Sequence, residues 1–270
     1  MRKLSLALMG ILVFGLSTVV SAQEKIVVAG TGDSQVLLRR LAAFFEKANP
    51  GEKVEVPDTI GSSGGIKALA EGRCDLARVS RPLRLKEKIY NFSYKVIAHC
   101  PVVFAVNSGV KDVDNLTSEQ IIGIFSGQIT SWDHVGGKKE KIYVVLREEG
   151  DSALEVLKNN LAGWNSIQFF AGEIVYNTPE AADVIENYKN TIGFMSLSTT
   201  AARNMKVIKL DGVAPSIENV KNNSYKLLTQ LGIVYKEGLK GTAKKFLDFL
   251  VSPAAQKIII EYGCVPVEEK

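Results

Sequence analysis

Short apolar strands alternate with amphipathic helical stretches through nearly all of this 270-residue chain, which predicts an α/β protein. Three turns rich in glycine and hydroxyl residues follow predicted strands and precede predicted helices, the place where open α/β sheets hold ligands. Two long apolar runs, at 96–106 and 227–235, can pass from one lobe to another, and the length allows either one large domain or two lobes.

The N-terminus carries Arg2 and Lys3, an apolar run from Leu4 to Val20, and small residues at Val20-Ser21-Ala22. That is the pattern of an export leader cleaved after Ala22. A membrane anchor is the poorer reading, because the run falls short of the roughly 20 residues a spanning helix needs and Ser5, Ser17 and Thr18 interrupt it. No cysteine follows the cleavage position, so lipid attachment there is not expected. Removal of residues 1–22 leaves 248 residues, and because that segment holds two basic and no acidic residues the net charge falls from +4 to +2. Such a balance argues against a nucleic-acid partner. The three cysteines, Cys74, Cys100 and Cys264, lack metal-ligand spacing; an oxidising compartment permits one disulfide among them, and three buried thiols are the alternative.

Ile26–Ala29 reads as a strand. A helix follows from Val36, with Leu37, Leu41, Phe44 or Phe45, and Ala48 on one face; Asp33 or Ser34 can cap it, and Asn49-Pro50-Gly51 ends it. Val54-Glu55-Val56 alternates as a strand, so a strand, helix, strand unit with parallel pairing is expected. Gly61-Ser62-Ser63-Gly64-Gly65 opens the next helix, closed by Gly72, and Asp75–Val79 is the next strand. Thr117-Ser118-Glu119-Gln120 fits a capping box before Ile121, Ile122 and Phe125. Ile142–Leu146 is a buried strand ending at Arg147, and Asp151 or Ser152 caps a helix running to about Asn160. Thr178-Pro179 and Ser252-Pro253 start further helices, each with proline at the first helical position.

The three turns, at Gly30–Ser34, Gly61–Ile66 and Arg147–Ser152, leave backbone N–H groups bare at helix starts, and the helix dipole suits such places to an anion. Arg147, between a strand and a helix, can fork two N–H donors onto an oxyanion; the alternative is a surface pair with Glu148 or Glu149. Ser34 and Ser63 can offer hydroxyl and amide donors, or simply cap. Arg81, in Ser80-Arg81-Pro82-Leu83, either reaches the anion or pairs with an acidic side chain at a lobe boundary. No nucleophile–base pair, dinucleotide fingerprint or Walker lysine is present, and His99 and His134 stand alone, so neither an enzyme nor a cofactor is expected.

At these residues the chain resembles the phosphate-binding periplasmic proteins of ABC importers, a type II solute-binding family with two lobes and two hinge strands. The likeness is carried by Gly30-Thr31-Gly32-Asp33-Ser34, Ile60-Gly61-Ser62-Ser63-Gly64-Gly65-Ile66-Lys67 and Asp75-Leu76-Ala77-Arg78-Val79-Ser80-Arg81-Pro82-Leu83. It continues through Asn115-Leu116-Thr117, Ile124-Phe125-Ser126-Gly127, Trp132, Ile192-Gly193-Phe194, and Tyr262-Gly263 with Pro266, and so spans nearly the whole chain after the leader. The resemblance implies that the first turn, the serine–glycine turn and an Arg-x-x-Gly-Ser-Gly-Thr segment hold phosphate, which carries over to Ser34, Ser63, Gly64, Arg147 and Ser152. With Asp33, Ser62, Ser80, Arg81 and Asp151 these form the candidate ligand-binding set.

The chain departs from the family pattern twice. Arg81 stands where an aspartate that accepts the phosphate proton often follows the serine of the third motif, and Asp151-Ser152-Ala153 replaces Ser-Gly-Thr. Hydrogen phosphate keeps a proton near neutral pH and sulfate does not, so a carboxylate in a dry cleft accepts a hydrogen bond from the first and repels the second. The expectation is that Asp151, ahead of Asp33, takes over as acceptor, with Arg81 partly balancing its charge; the alternative is that both aspartates merely cap helices.

These readings lead to an exported periplasmic monomer that captures a small oxyanion, phosphate foremost, for a membrane ABC permease, without a metal. Lobe one is expected over 24–104 plus 231–270 and lobe two over 105–230. A sensor or adaptor that reports anion occupancy to a partner is the alternative, and neighbouring genes for a permease and ATPase or for a sensor kinase would separate the two.

Overall fold

The structure is a computed structural model that describes residues 24–267; the leader expected over 1–22 lies outside the described residues. Strand β1 (Glu24–Gly30) leads into helix α1 (Gln35–Ala48), β2 (Glu52–Glu55), α2 (Gly61–Ala70) and β3 (Leu76–Val79). The long β4 (Ser93–Asn107) follows, then β5 (Asn115–Leu116), α3 (Ser118–Phe125), β6 (Tyr143–Arg147) and α4 (Ser152–Asn160). Next come β7 (Glu173–Val175), α5 (Thr178–Asn187), β8 (Thr191–Ser196), α6 (Leu197–Thr200), β9 (Met205–Leu210) and α7 (Ile217–Lys221). The described chain ends with β10 (Leu228–Tyr235), α8 (Gly241–Phe249), α9 (Pro253–Glu261) and β11 (Val265–Pro266).

The strands follow the order β2-β1-β3-β10-β4-β8-β6-β7, with β9 and β11 also on β4 and β5 on β9. β1 lies parallel to both β2 and β3, so the expected strand, helix, strand unit is present. On the other side β6 is parallel to β7 and β8. Between these parallel groups β10 runs antiparallel to β3 and β4. β4 changes partner along its length: its first part, from Ser93 to Pro101, pairs with β10, and Val102–Val106 pairs with β8. One continuous strand therefore serves two separate hydrophobic layers.

The fold is the two-lobed α/β architecture that the sequence led us to expect. One core gathers Ile26, Val28, Leu37, Leu41, Phe45, Ile97, Leu231, Phe246 and Ile259; the other gathers Val102, Phe104, Phe125, Leu146, Leu157, Trp164, Phe194 and Ile208. Helical spacing explains the first: Leu37, Leu41 and Phe45 recur on the buried face of α1, whereas Phe44 is 39% exposed. Phe125, Trp164 and Phe194 form the aromatic centre of the second, with ring centroids 5.0 Å apart for Phe125–Trp164 and 5.7 Å for Trp164–Phe194. Thr117 and Gln120 make the expected reciprocal capping box at α3.

Cys100 on β4 and Cys264 beside β11 form a disulfide with a Cα–Cα distance of 4.4 Å, and Cys74 is a buried free thiol. The bridge ties positions 164 residues apart in sequence, where the loop-closure argument predicts up to about 5 kcal/mol of stabilisation. Cys264→Ser should lower the free energy of unfolding in urea by about 2–5 kcal/mol relative to the oxidised parent. Equal urea midpoints would show that the bridge contributes nothing to the fold.

Candidate functional site

The three predicted turns meet in a cavity of about 310 Å³ between the two cores, and the start of a fourth helix, α5, joins them. Thr31 and Gly32 come from the loop before α1, Ile60, Gly61 and Ser62 from the start of α2, Asp151 and Ser152 from the start of α4, and Asn177 and Thr178 from the start of α5. Arg147, at the end of β6, completes the wall.

Backbone geometry brings the two turns of the first lobe together. Gly30 has φ +143°, and a Cβ there would lie 2.0 Å from the Arg78 carbonyl oxygen; a Cβ on Gly65 would lie 2.7 Å from the Gly30 Cα. Only glycine lets the loop and the α2 helix approach this closely. The fully buried Arg78 braces the same turn from behind, donating through Nε to the Thr31 carbonyl at 2.8 Å and through Nη2 to the Pro57 carbonyl at 2.8 Å, with Nη1 on the Val28 carbonyl. Burial, with Arg39 nearby, lowers its pKa to about 10, so it stays charged at neutral pH.

Arg147 has a side chain only 3% exposed, and its fork is already occupied. Nε and Nη2 donate to the two Glu148 oxygens at 3.1 and 3.2 Å, Nη2 lies 2.9 Å from Asp151 Oδ2, and Nη1 donates to Thr178 Oγ1 at 3.0 Å. The Thr178 hydroxyl in turn donates to Asp33 Oδ1 at 3.0 Å, a contact from one lobe to the other. Arg147 therefore does pair with Glu148, as the surface alternative held, but inside the cavity. Burial works to lower the Arg147 pKa, and the charges of Asp151, Asp33 and Glu148 more than offset it, so the guanidinium stays protonated. Burial raises the Asp33 carboxyl despite Arg147, and burial together with the Asp33 charge pushes Asp151 up to about 7.

The candidate residues divide on this geometry. Ser62, Arg147, Asp151 and Ser152 line the cavity, and the Ser62 and Ser152 hydroxyls face each other across the lobes at 3.4 Å. Asp151 both lines the cavity and caps α4, accepting from Leu154 N at 2.9 Å, so the two roles set against each other in the sequence coexist. Asp33, Ser34 and Ser80 lie buried immediately behind the wall, Ser80 donating to Thr31 Oγ1 at 3.3 Å. Ser34 occupies the N-cap position of α1, but its backbone φ and ψ of −100° and 2° are not extended as a capping residue's are, so it makes no capping bond and its hydroxyl has no partner among the described residues.

Ser63, Gly64 and Arg81 are not part of the cavity wall. Arg81 Nη1 and Nη2 meet Glu87 at 2.8 and 2.7 Å, and Nη2 also donates to Ser63 Oγ at 2.8 Å. Arg81 thus pairs with an acidic side chain, the second of its two readings, and it is Arg147 rather than Arg81 that lies against Asp151. These hydrogen bonds, with that from Arg84 N, overcome burial and hold Glu87 at about 2.

Thr178 was read from the sequence only as a helix start with proline first. Asn177 is the cap, accepting from Glu180 N, and Thr178 is the first helical residue, which frees its hydroxyl for Arg147 and Asp33. Arg78, Thr31 and Glu148 were likewise not singled out as site residues. Thr31 and Glu148 lay inside the predicted turns, Glu148 as a possible surface partner of Arg147, and Arg78 in the strand of Asp75–Val79.

A family description, the PBP superfamily domain, matches residues 17–254. The phosphate-binding protein PstS of Bacillus subtilis (strain 168) is 26% identical over 254 residues, 92% of this chain and 82% of that protein. The phosphate-binding protein PstS of Borreliella burgdorferi is 26% identical over 275 residues, covering 96% and 98%. Among solved structures, a Clostridium perfringens protein assigned as a phosphate ABC transporter substrate-binding protein, with bound phosphate, superposes with a TM-score of 0.80 at 28% identity, covering 91% of this chain and all of that one. An ABC-type phosphate transport receptor from Vibrio cholerae gives a TM-score of 0.64 at 27% identity over 89% of this chain and 99% of that one.

Proposed function

Because the chain belongs to the PBP superfamily, we propose that it is a binding protein, not an enzyme, that captures a small oxyanion, phosphate foremost, for an ABC importer. The observation that carries this reading is the convergence of Arg147 with the helix starts of α2, α4 and α5 on one cavity between two cores. Backbone N–H groups, hydroxyls and one guanidinium suit tetrahedral oxygens. The relatives named as phosphate-binding proteins support the choice of ligand. Two lobes that divide on β4 near Pro101, earlier than the expected 104 because Val102 and Phe104 pack in the second core, close on the ligand about β4 and β10, and the loaded monomer is offered to a membrane permease on the outer side of the membrane after export through a cleaved leader.

Calorimetry of ligand-stripped mature protein against phosphate, sulfate, molybdate and small carboxylates tests this. Phosphate should bind most tightly; a carboxylate bound in its place, with phosphate inert, would remove the proposal.

A strap between the lobes bears on release. Arg84 reaches Glu155 on α4 with an ion pair and donates to the Gly150 carbonyl at 3.2 Å. Its backbone N–H is fixed by Glu87 Oε2 at 2.8 Å. A partly exposed pair of this kind is worth about 0.5–1 kcal/mol. Arg84→Ala should therefore speed phosphate release about two- to fivefold in stopped-flow displacement. An unaltered release rate would place the pair outside the closing motion.

A further inference from the structure

The cavity is larger than a bare tetrahedral anion needs, and its mouth differs from its floor. A water takes about 30 Å³ of liquid, so about 310 Å³ has room for about ten waters, whereas one phosphate ion displaces roughly three. An open cleft awaiting closure does not account for the difference, because the lobes already touch around it. Thr178 donates to Asp33 at 3.0 Å, the Ser62 and Ser152 hydroxyls lie 3.4 Å apart, and Arg84 reaches both Glu155 and the Gly150 carbonyl. Small organic ligands occupy pockets from about 300 Å³ upward.

The lining changes character from floor to mouth. Thr31, Ser62, Arg147, Asp151, Ser152 and Thr178 are buried. With the amides of Ser62 and Ser63, at a start of α2 that carries no side-chain cap, they make a polar floor. At the rim stand Ile60 from the first lobe, 49% exposed, and Tyr176 from the second, 72% exposed. Ile60 lies along α2: a Cβ on Gly64 would come within 3.1 Å of the Ile60 Cβ, so the bare Cα of Gly64 makes room for it. Tyr176 is tied down by its backbone N–H, which donates to Glu180 Oε2 at 3.2 Å. The polar neighbours at the rim are already engaged. Thr59 Oγ1 donates to the Gly30 carbonyl at 3.0 Å and accepts from Gly61 N at 3.1 Å. The Asn177 amide meets Glu180 through both of its polar atoms, and the Glu148 carboxylate lies on Arg147. The rim therefore offers one aliphatic and one aromatic surface, from opposite lobes.

We propose that this site also takes monosubstituted phosphoryl compounds, phosphonates and phosphate monoesters whose substituent is uncharged and apolar or aromatic. The inference rests on the oxyanion reading above and widens its ligand class. The tetrahedral head sits on the floor, where its three free oxygens meet the α2 amides, the Ser62 and Ser152 hydroxyls and Arg147. The fourth position points to the mouth, and the substituent lies between Ile60 and Tyr176. An aromatic substituent gains contact with the Tyr176 ring beyond the burial of its area. A charged substituent finds no counter-charge there, because the one carboxylate at the rim is paired with Arg147.

The test is calorimetry of ligand-stripped mature protein with inorganic phosphate, methylphosphonate and phenylphosphonate, the last two differing only in the substituent. Phenylphosphonate should compete with phosphate, bind within about tenfold of it, and bind about fivefold or more tighter than methylphosphonate, the gain expected of an aromatic contact. Tyr176→Ala should erase most of the phenyl advantage while leaving phosphate affinity within about twofold, and Tyr176→Phe, which keeps the ring, should retain it. Both substitutions are at an exposed side chain that the fold does not need. Phosphate bound with neither phosphonate detectable at about a hundredfold higher concentration overturns the inference and leaves the oxyanion reading intact. A phenyl advantage that is absent, survives Tyr176→Ala or belongs to a site that does not compete with phosphate overturns it as well. Phenylphosphonate bound with phosphate inert would uphold the inference and remove phosphate as the foremost ligand. No binding of any of the three would remove the oxyanion reading and this inference with it.

Discussion

Arg147→Ala is expected to reduce phosphate affinity by about tenfold to a hundredfold and to lower the thermal midpoint of the ligand-free protein. Its side chain is 3% exposed and is the shared partner of Glu148, Asp151 and Thr178. Removing one member of a buried ion pair typically costs about 3–5 kcal/mol, because the surviving charges are left without compensation. That cost falls on the ligand-free fold; the affinity lost with a charge-assisted bond to the anion is about 1.5–3 kcal/mol, which at about 1.4 kcal/mol per decade is one to two decades. Arg147→Lys separates charge from geometry: an ammonium keeps the charge but cannot hold Glu148, Asp151 and Thr178 at once. Lysine should therefore recover more of the thermal midpoint than of the affinity. Binding by the alanine variant at the parent's strength would mean that the helix-start amides hold the anion without the guanidinium.

Much of this arrangement was legible in the residue order, because the site turns are also local structural signals. A glycine–hydroxyl run between an apolar strand and an apolar helical face marks a helix start, and three such starts at strand ends pointed to one cleft. The capping box at Thr117 and Gln120 and the proline-led start of α9 are local in the same sense. What escaped depends on contacts between distant segments. Arg78 sits in a run that reads only as a strand, yet its side chain crosses beneath β1 to hold the Thr31 turn, 47 residues away in sequence. Thr178 reaches Asp33 across 145 residues. Arg81 lies next to a site serine, but Glu87, six residues on, draws its guanidinium away from the cavity, and no feature of the linear pattern ranked that pairing above a bound anion. The disulfide was open for the same reason: Cys100 and Cys264 meet only because β11 pairs with β4.

In the absence of ligand, the protein is expected to become more stable as the pH is lowered from 7 to 5, and Asp151→Asn is expected to remove most of that gain. Burial and the neighbouring Asp33 charge raise Asp151 from an ordinary value of 3.8 to about 7. The folded state thus holds a proton that the unfolded chain releases above pH 4. Where the native state binds more protons than the unfolded one, unfolding free energy falls as pH rises. The contribution of this carboxyl is fully present below about pH 4 and is lost progressively as pH climbs to about 7, with a total on the order of 4 kcal/mol at 1.36 kcal/mol per pKa unit. Asp33, raised by burial, acts in the same direction. His99 acts in the opposite one: burial lowers its pKa, so its stabilising effect grows as pH rises through 6.5. Glu87, held at about 2, changes only at more acid pH and leaves this window undisturbed. The difference between parent and Asp151→Asn removes the His99 background and isolates the aspartate. A chain of this size shifts its midpoint by about 2–4 °C per kcal/mol, so the parent should gain several degrees between pH 7 and 5 relative to the variant, measured by calorimetric melting. Parallel pH profiles for the two proteins would mean that Asp151 keeps its charge in the closed cavity, compensated by Arg147 alone, and would leave Asp33 as the carboxyl that carries the proton.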